Sequence, residues 1–171
     1  MNLFAEVNYS ATANNVDRFL SKQLPRLLRR CGHDLIDLSS PKLSWAPSHS
    51  TGHNYAETSI VSALSIEQVI KAIYKSIYSC SELHKTVLID NYVYCYDQEQ
   101  IIRMLPYEKS QYYNRIKPDS LLEFADAYDY YQQQCNVDDD NLIDLRVYAW
   151  IGILSETVRT FIGDRSVEFG S

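Results

Sequence analysis

Glycine and proline are both scarce in this chain, five of each among 171 residues. No glycine-rich phosphate loop and no dinucleotide fingerprint occur, and no nucleophile stands with a visible base. The sequence therefore does not read as an enzyme, and it implies no cofactor. Cysteine is sparse as well. Cys31, Cys80, Cys95 and Cys135 are widely spaced with no CxxC pair. In a cytosolic setting that predicts four reduced thiols, two or three of them packed as small apolar groups. No run of 18 or more apolar residues is present, which argues against a transmembrane helix and any membrane partner. The opening MNLFAEVNYSATANN has no basic stretch followed by an apolar core, so no secretory signal is expected and the predicted location is cytoplasmic.

Metal-ligand spacing is missing too. Cys31 and His33 form a CxH, and His49 and His53 an HxxxH, but they flank a stretch without periodicity rather than making the paired sets of a zinc site. Asp138, Asp139 and Asp140 lack the alternating ligands and glycine of a calcium loop and read as a solvated turn. No metal is expected. His84 falls on a helix with no partner visible in sequence.

An overall basic excess is the last absence, since the net charge is −6. Divided along the chain, the balance changes. Residues 1–117 hold 13 Lys+Arg against 11 Asp+Glu, or +2, and residues 118–171 hold 3 against 11, or −8. Between Arg103 and Lys117 there are four basic residues (Arg103, Lys109, Arg115, Lys117) and one acidic residue, Glu108. Attraction to phosphate is set by the field within about one Debye length, ~10 Å, so a distant acidic tail weakens nucleic-acid binding without excluding it.

What is present is helical periodicity. Val16, Phe19, Leu20, Leu24, Leu27 and Leu28 recur at helical spacing over residues 14–31, with Asn14 or Asn15 as the cap. Pro25 should kink that helix or split it in two. Arg26, Arg29 and Arg30 fall on its polar side, where a solvated face is the first reading and phosphate contact the second. Residues 39–54 are rich in Ser, Pro and His and read as a linker. Ile66, Val69, Ile70, Ile73 and Ile77 make the next stripe, on a helix that starts at a Ser65/Gln68 capping box or runs through from Glu57. Leu83, Val87, Leu88 and Tyr92 face inward on another. Tyrosines 74, 78, 92, 112 and 128 mostly match these stripes, which favours core packing over base stacking.

The segment 86–128 is the most informative. Asp97 with Gln100 caps a short helix whose core face is Ile101, Ile102 and Leu105, and Pro106-Tyr107 ends it. A second short helix follows, with Tyr112 and Ile116 inward. Lys109, Gln111, Tyr113, Asn114 and Arg115 are then left mainly on other faces. Pro118 should break the ladder before a longer helix over 119–132. Two short helices around a turn, the second with a polar and mostly basic face, is the layout of a helix-turn-helix that enters the major groove. The predicted fold class is mostly α: a helical domain containing that motif, a Ser/Pro-rich linker and an acidic C-terminal tail. The predicted organisation is an N-terminal helical segment (1–38), the linker (39–56), the helix-turn-helix domain (57–135) and the extension (136–171).

Several local words, in order, resemble the ArpU-type phage transcriptional regulators, which carry a helix-turn-helix like sigma-factor region 4. They are NVDRFL (15–20), SPKLSWAP (40–47), SQYYNRIK (110–117) and LLEFADAY (121–128), and the likeness runs from about Asn15 to Tyr148. The family's recognition helix looks like Ser-x-Ser-x-x-Tyr followed by basic residues. Matched onto this sequence, the DNA-binding set is Lys109, Ser110, Gln111, Tyr113, Asn114, Arg115 and Lys117. Glu108 stands where a serine would cap that helix, and Pro118-Asp119 replace residues that would extend it. The resemblance implies a sequence-specific double-stranded-DNA-binding regulator of phage or prophage origin, acting in a bacterial host cell to activate late phage genes. The alternative is a protein-interaction factor that kept the fold, lost its DNA affinity and docks on RNA polymerase or another regulator.

The tail is ambiguous by periodicity alone. Ile143, Leu145 and Val147 alternate as in a strand, yet Ile143, Val147, Ile151, Leu154, Val158 and Ile162 also form a helical stripe. We expect a short extended segment followed by a helix from about Trp150 to Ile162. Its apolar stripe would dock on its own domain or form a homodimer seam.

Overall fold

The structure, a computed structural model, describes residues 6–40 and 57–149. Five helices carry it. Helix α1 spans 9–30, and α2 (Glu57–Ser79), α3 (Glu82–Tyr92) and α4 (Gln98–Met104) follow. Helix α5 spans 109–134. Among the described residues the only β pairing is one antiparallel bridge, Val7 to Tyr148. The mostly helical expectation holds. Most of the predicted linker (41–56) and the whole predicted tail helix (150–162) lie outside the described residues.

Two expectations about proline are corrected. Helix α1 is not split in two at Pro25, and α5 continues through Pro118. In each, a five-residue π-helical turn precedes the proline by one residue: Phe19–Gln23 before Leu24-Pro25, and Tyr112–Ile116 before Lys117-Pro118. The turns close through i→i+5 bonds, Leu24 N–H to Phe19 O and Lys117 N–H to Tyr112 O. Proline lacks an N–H and its ring crowds the carbonyl four residues back. One widened turn removes both problems, so the helix continues past it. The second short helix and the longer helix expected after it are therefore one element.

The start of α1 is also corrected. It begins at Tyr9, capped by Asn8, whose Oδ1 accepts from Ala11 N–H at 3.0 Å. Asn15 instead sits inside the helix and donates to Leu145 O. Helix α2 runs from Glu57 as one of the two readings had it. Ser65 is interior and bonds Asp138. Glycine is needed where α1 ends: Gly32 has φ 72°, and His33 N–H returns to Leu28 O to close the C-terminal turn. Asn136 plays the same part after α5, at φ 53°.

One large core joins α1, α2, α3 and α5. Val16, Leu20, Leu24 and Leu28 meet Ile70, Ile73 and Ile77 and the row Leu121, Phe124, Tyr128, all buried. Phe124 and Tyr128 stack at 5.6 Å, and Phe19 lies 5.4 Å from Tyr128. Leu145 of the extended tail is buried in the same core. Residues 142–149 are extended as expected, and side chains satisfy much of their backbone. Gln132 brackets Ile143, donating to its carbonyl and accepting from its N–H at 3.0 and 2.8 Å. Thr12 accepts from Val147 N–H at 2.9 Å. Such pairing lets a lone extended segment lie on helices with many of its peptide groups satisfied. Cys80 and Cys135 are buried, Cys31 is half-buried and Cys95 exposed, and none of the four is in a disulfide.

Candidate nucleic-acid interface

A second, smaller core stands apart from the first. Val87 of α3, Ile101 of α4, and Tyr112 and Ile116 of α5 are buried together, ringed by Leu83, Ile102 and Leu105. These are the apolar positions that the i, i+3 and i+4 spacing marks on each helix. Asp97 caps α4 as predicted, accepting from Glu99 N–H at 3.3 Å. Residues 105–108 turn the chain, and Glu108 caps α5. Its N–H donates to Gln111 Oε1 at 3.2 Å within a capping box. The carboxylate at this place is thus a cap with a favourable position against the helix dipole.

A polar clamp holds the start of α5 in register. Asn91 Nδ2 donates to Val87 O at 2.7 Å and to Tyr112 Oη at 2.9 Å. Gln98 Nε2 donates to Asn91 Oδ1 at 2.6 Å, and Tyr112 Oη lies 3.2 Å from Gln98 Oε1. Three helices are therefore tied through one tyrosine hydroxyl. Burial, first of all, pushes the Tyr112 phenol up, so it stays a neutral donor. Neither Asn91 nor Gln98 was singled out from sequence. The available signal was a polar residue, Asn91, one turn beyond Val87 on the inward side of α3.

Above this core lie the predicted contact residues. Lys109, Ser110, Gln111, Tyr113, Asn114 and Arg115 are all exposed on the first two turns of α5, while Tyr112 and Ile116 point inward as predicted. Arg115 has 84% of its side chain in solvent. The seventh residue, Lys117, is placed differently. It is half-buried, and its Nζ lies 3.2 Å from Asp17 Oδ1, a carboxylate that also accepts from Tyr92 Oη. Lys117 ties α5 to α1 rather than joining the exposed set. Gln111 is partly committed to the cap.

The exposed cations have acidic neighbours. Lys109 Nζ is 3.9 Å from Glu99, and Arg115 Nε is 3.8 Å from Asp119. Pairs this exposed are worth about 0–1 kcal/mol, so an incoming phosphate can displace them. His84 does have a partner: it bonds Glu123, which also accepts from Ser81 N–H at 2.9 Å. His33 lies 3.5 Å from Asp37, and His49 and His53 fall outside the described residues. Among the described residues no cluster of three or more His, Cys, Asp or Glu could hold a metal, and no helix is long and apolar enough to cross a membrane.

No family model and no solved structure matches the chain. A protein named "Putative autolysin regulatory protein ArpU", from Enterococcus hirae, is 31% identical to it over 132 residues. That alignment covers 75% of this chain and 93% of the relative.

Proposed function

This chain belongs to the family of the regulatory protein ArpU, and from that premise we propose that it is a sequence-specific double-stranded-DNA-binding transcriptional regulator. Helices α4 and α5 act as the helix-turn-helix. The first two turns of α5 enter the major groove, phosphate contacts set the register, and Asn114 and Arg115 read base edges. The observation that carries this reading is the division of one short stretch. Tyr112 and Ile116 are buried, and the six side chains around them are polar or aromatic and all exposed. In this reading the genes it controls are late genes of a phage or prophage and it activates them, a reading supported by the likeness of its local words to those of the phage regulators.

One observation favours the second reading, an interaction factor that docks on RNA polymerase. Lys109, Arg115 and Lys117 each have a carboxylate within 4.0 Å, which lowers the positive potential that DNA would meet. A footprint on the DNA flanking the protein's own gene cluster separates the two. The DNA reading expects a protected site of about one or two half-sites, with affinity falling steeply as salt rises. No protection at low salt, together with capture of RNA polymerase by the full chain, establishes the second reading instead.

A further inference from the structure

We propose that the second half of α1 is a further DNA-contacting surface, on which Lys22, Arg26, Arg29 and Arg30 hold the phosphate backbone beside the site read by α5. The inference rests on the DNA-binding reading above and deepens it. From Arg18 to His33 the chain carries five cations (Arg18, Lys22, Arg26, Arg29, Arg30) and no acidic residue. In a chain of net charge −6 no other stretch of that length is so one-sidedly basic.

Lys22, Arg26, Arg29 and Arg30 are all exposed. Spacings of three and four bring Arg26, Arg29 and Arg30 onto one side of the helix, with Lys22 one turn earlier. Among the described residues none of the four has a carboxylate within 4.0 Å, in contrast to Lys109, Arg115 and Lys117 of α5. The helix dipole favours cations in the last turn and so accounts for Arg29 and Arg30. It does not account for Lys22 and Arg26, which precede that turn.

Position supplies the second argument. A cleft of about 240 Å³ separates α1 from the α4 region, with Ser21 and Pro25 on one side and Cys95 and Gln98 on the other. Gln98 is the first residue of α4. In a helix-turn-helix the first helix crosses the DNA backbone while the second enters the groove. Lys22 and Arg26 directly follow Ser21 and Pro25 of the cleft wall in α1, which brings the basic stretch near the path of a strand flanking the site. Helices α1 and α5 are also held together, through the Lys117–Asp17 pair and their shared core. Contacts of this kind position a protein on the duplex and carry no sequence information themselves.

The test compares the full-length Arg26→Gln/Arg29→Gln/Arg30→Gln variant with the parent on operator and scrambled duplexes over a range of salt. Glutamine keeps nearly the same helix propensity. If the triple variant fails to fold, Arg26→Gln alone serves, with an expected slope change of about 0.9. For the triple variant the plot of log affinity against log salt should become shallower by about 2–3, at about 0.9 for each phosphate no longer neutralised. The ratio of operator to scrambled affinity should hold. An unchanged slope overturns the inference. Asn114→Ala with Arg115→Ala is run in parallel, and there the ratio should fall while the slope moves by no more than about one. If only the arginine variant responds, the α1 surface stands and the base-reading assignment fails. If the parent shows no salt-dependent affinity for duplex DNA, both fall together.

Discussion

Two buried tyrosines, one in each core, are treated oppositely by the fold. Tyr112 sits in the small core with its hydroxyl shared between Asn91 and Gln98. Tyr128 sits in the large core between Phe19 and Phe124, and its hydroxyl has no partner among the described residues. The large core tolerates that loss because many apolar side chains surround the ring. The small core has four fully packed residues and needs the hydrogen bonds to fix where α5 begins. Bulk apolar burial makes the body stable, and a satisfied polar clamp gives the candidate reading helix one register. Variants in the two cores should therefore fail in different ways.

The largest effect belongs to the large core. Phe124→Ala removes a ring stacked on Tyr128 and should cost about 3–5 kcal/mol, the range for buried aromatic truncations. Chemical denaturation should show one cooperative transition shifted as a whole. A loss below about 1 kcal/mol would mean that α5 is not a central element. Ile116→Ala, in the small core, should cost roughly 2–5 kcal/mol, with its signature in amide exchange: residues 98–116 lose protection more than 121–134. Uniform loss across both stretches would merge the two cores into one.

The tyrosine pair sharpens the contrast further. Tyr112→Phe leaves Asn91 and Gln98 short of a partner and should destabilise by about 1–3 kcal/mol. Tyr128→Phe deletes an unsatisfied hydroxyl and should leave stability unchanged or raise it by up to about 1 kcal/mol. The opposite order in thermal melts would refute the clamp. The smallest effect concerns the junction of α3 with α5. Burial acts to raise the Glu123 carboxyl, but hydrogen bonds from Ser81 N–H, His84 and Ser81 Oγ outweigh it and hold it below its ordinary value. A depressed carboxylate stabilises the fold above its unfolded pKa of about 4.3, and that contribution is lost as pH falls through the folded value. Glu123→Gln should flatten the acid limb of stability below about pH 4.3. Parallel stability curves for parent and variant would show that the junction contributes nothing.

Much of this was legible in sequence because it depends on spacing. The stripes of α1, α2, α3 and α5, the Asp97 cap and the inward Tyr112 and Ile116 all follow from i, i+3 and i+4 periodicity. The prolines misled because an interior proline normally breaks or ends a helix, and a π turn that lets the helix continue past it has no periodicity of its own to read. The start of α1 misled because Asn8, Asn14 and Asn15 are equal as caps on paper. Only the pairing of 6–8 with 147–149 decides among them. Lys117 looks like its neighbours in the chain, and its partner Asp17 lies 100 residues earlier. The Asn91–Gln98–Tyr112 clamp joins three helices, so no local window contains it.

The central claim, that the first two turns of α5 read DNA, is tested most directly by one titration. Operator DNA recovered from the flanks of the protein's gene cluster is titrated with the parent, Asn114→Ala and Arg115→Ala at fixed salt. Each variant should lose about 1–3 kcal/mol of specific affinity, as a broken bidentate base contact does, with an unchanged melting temperature. Parental affinity in both variants would contradict the account.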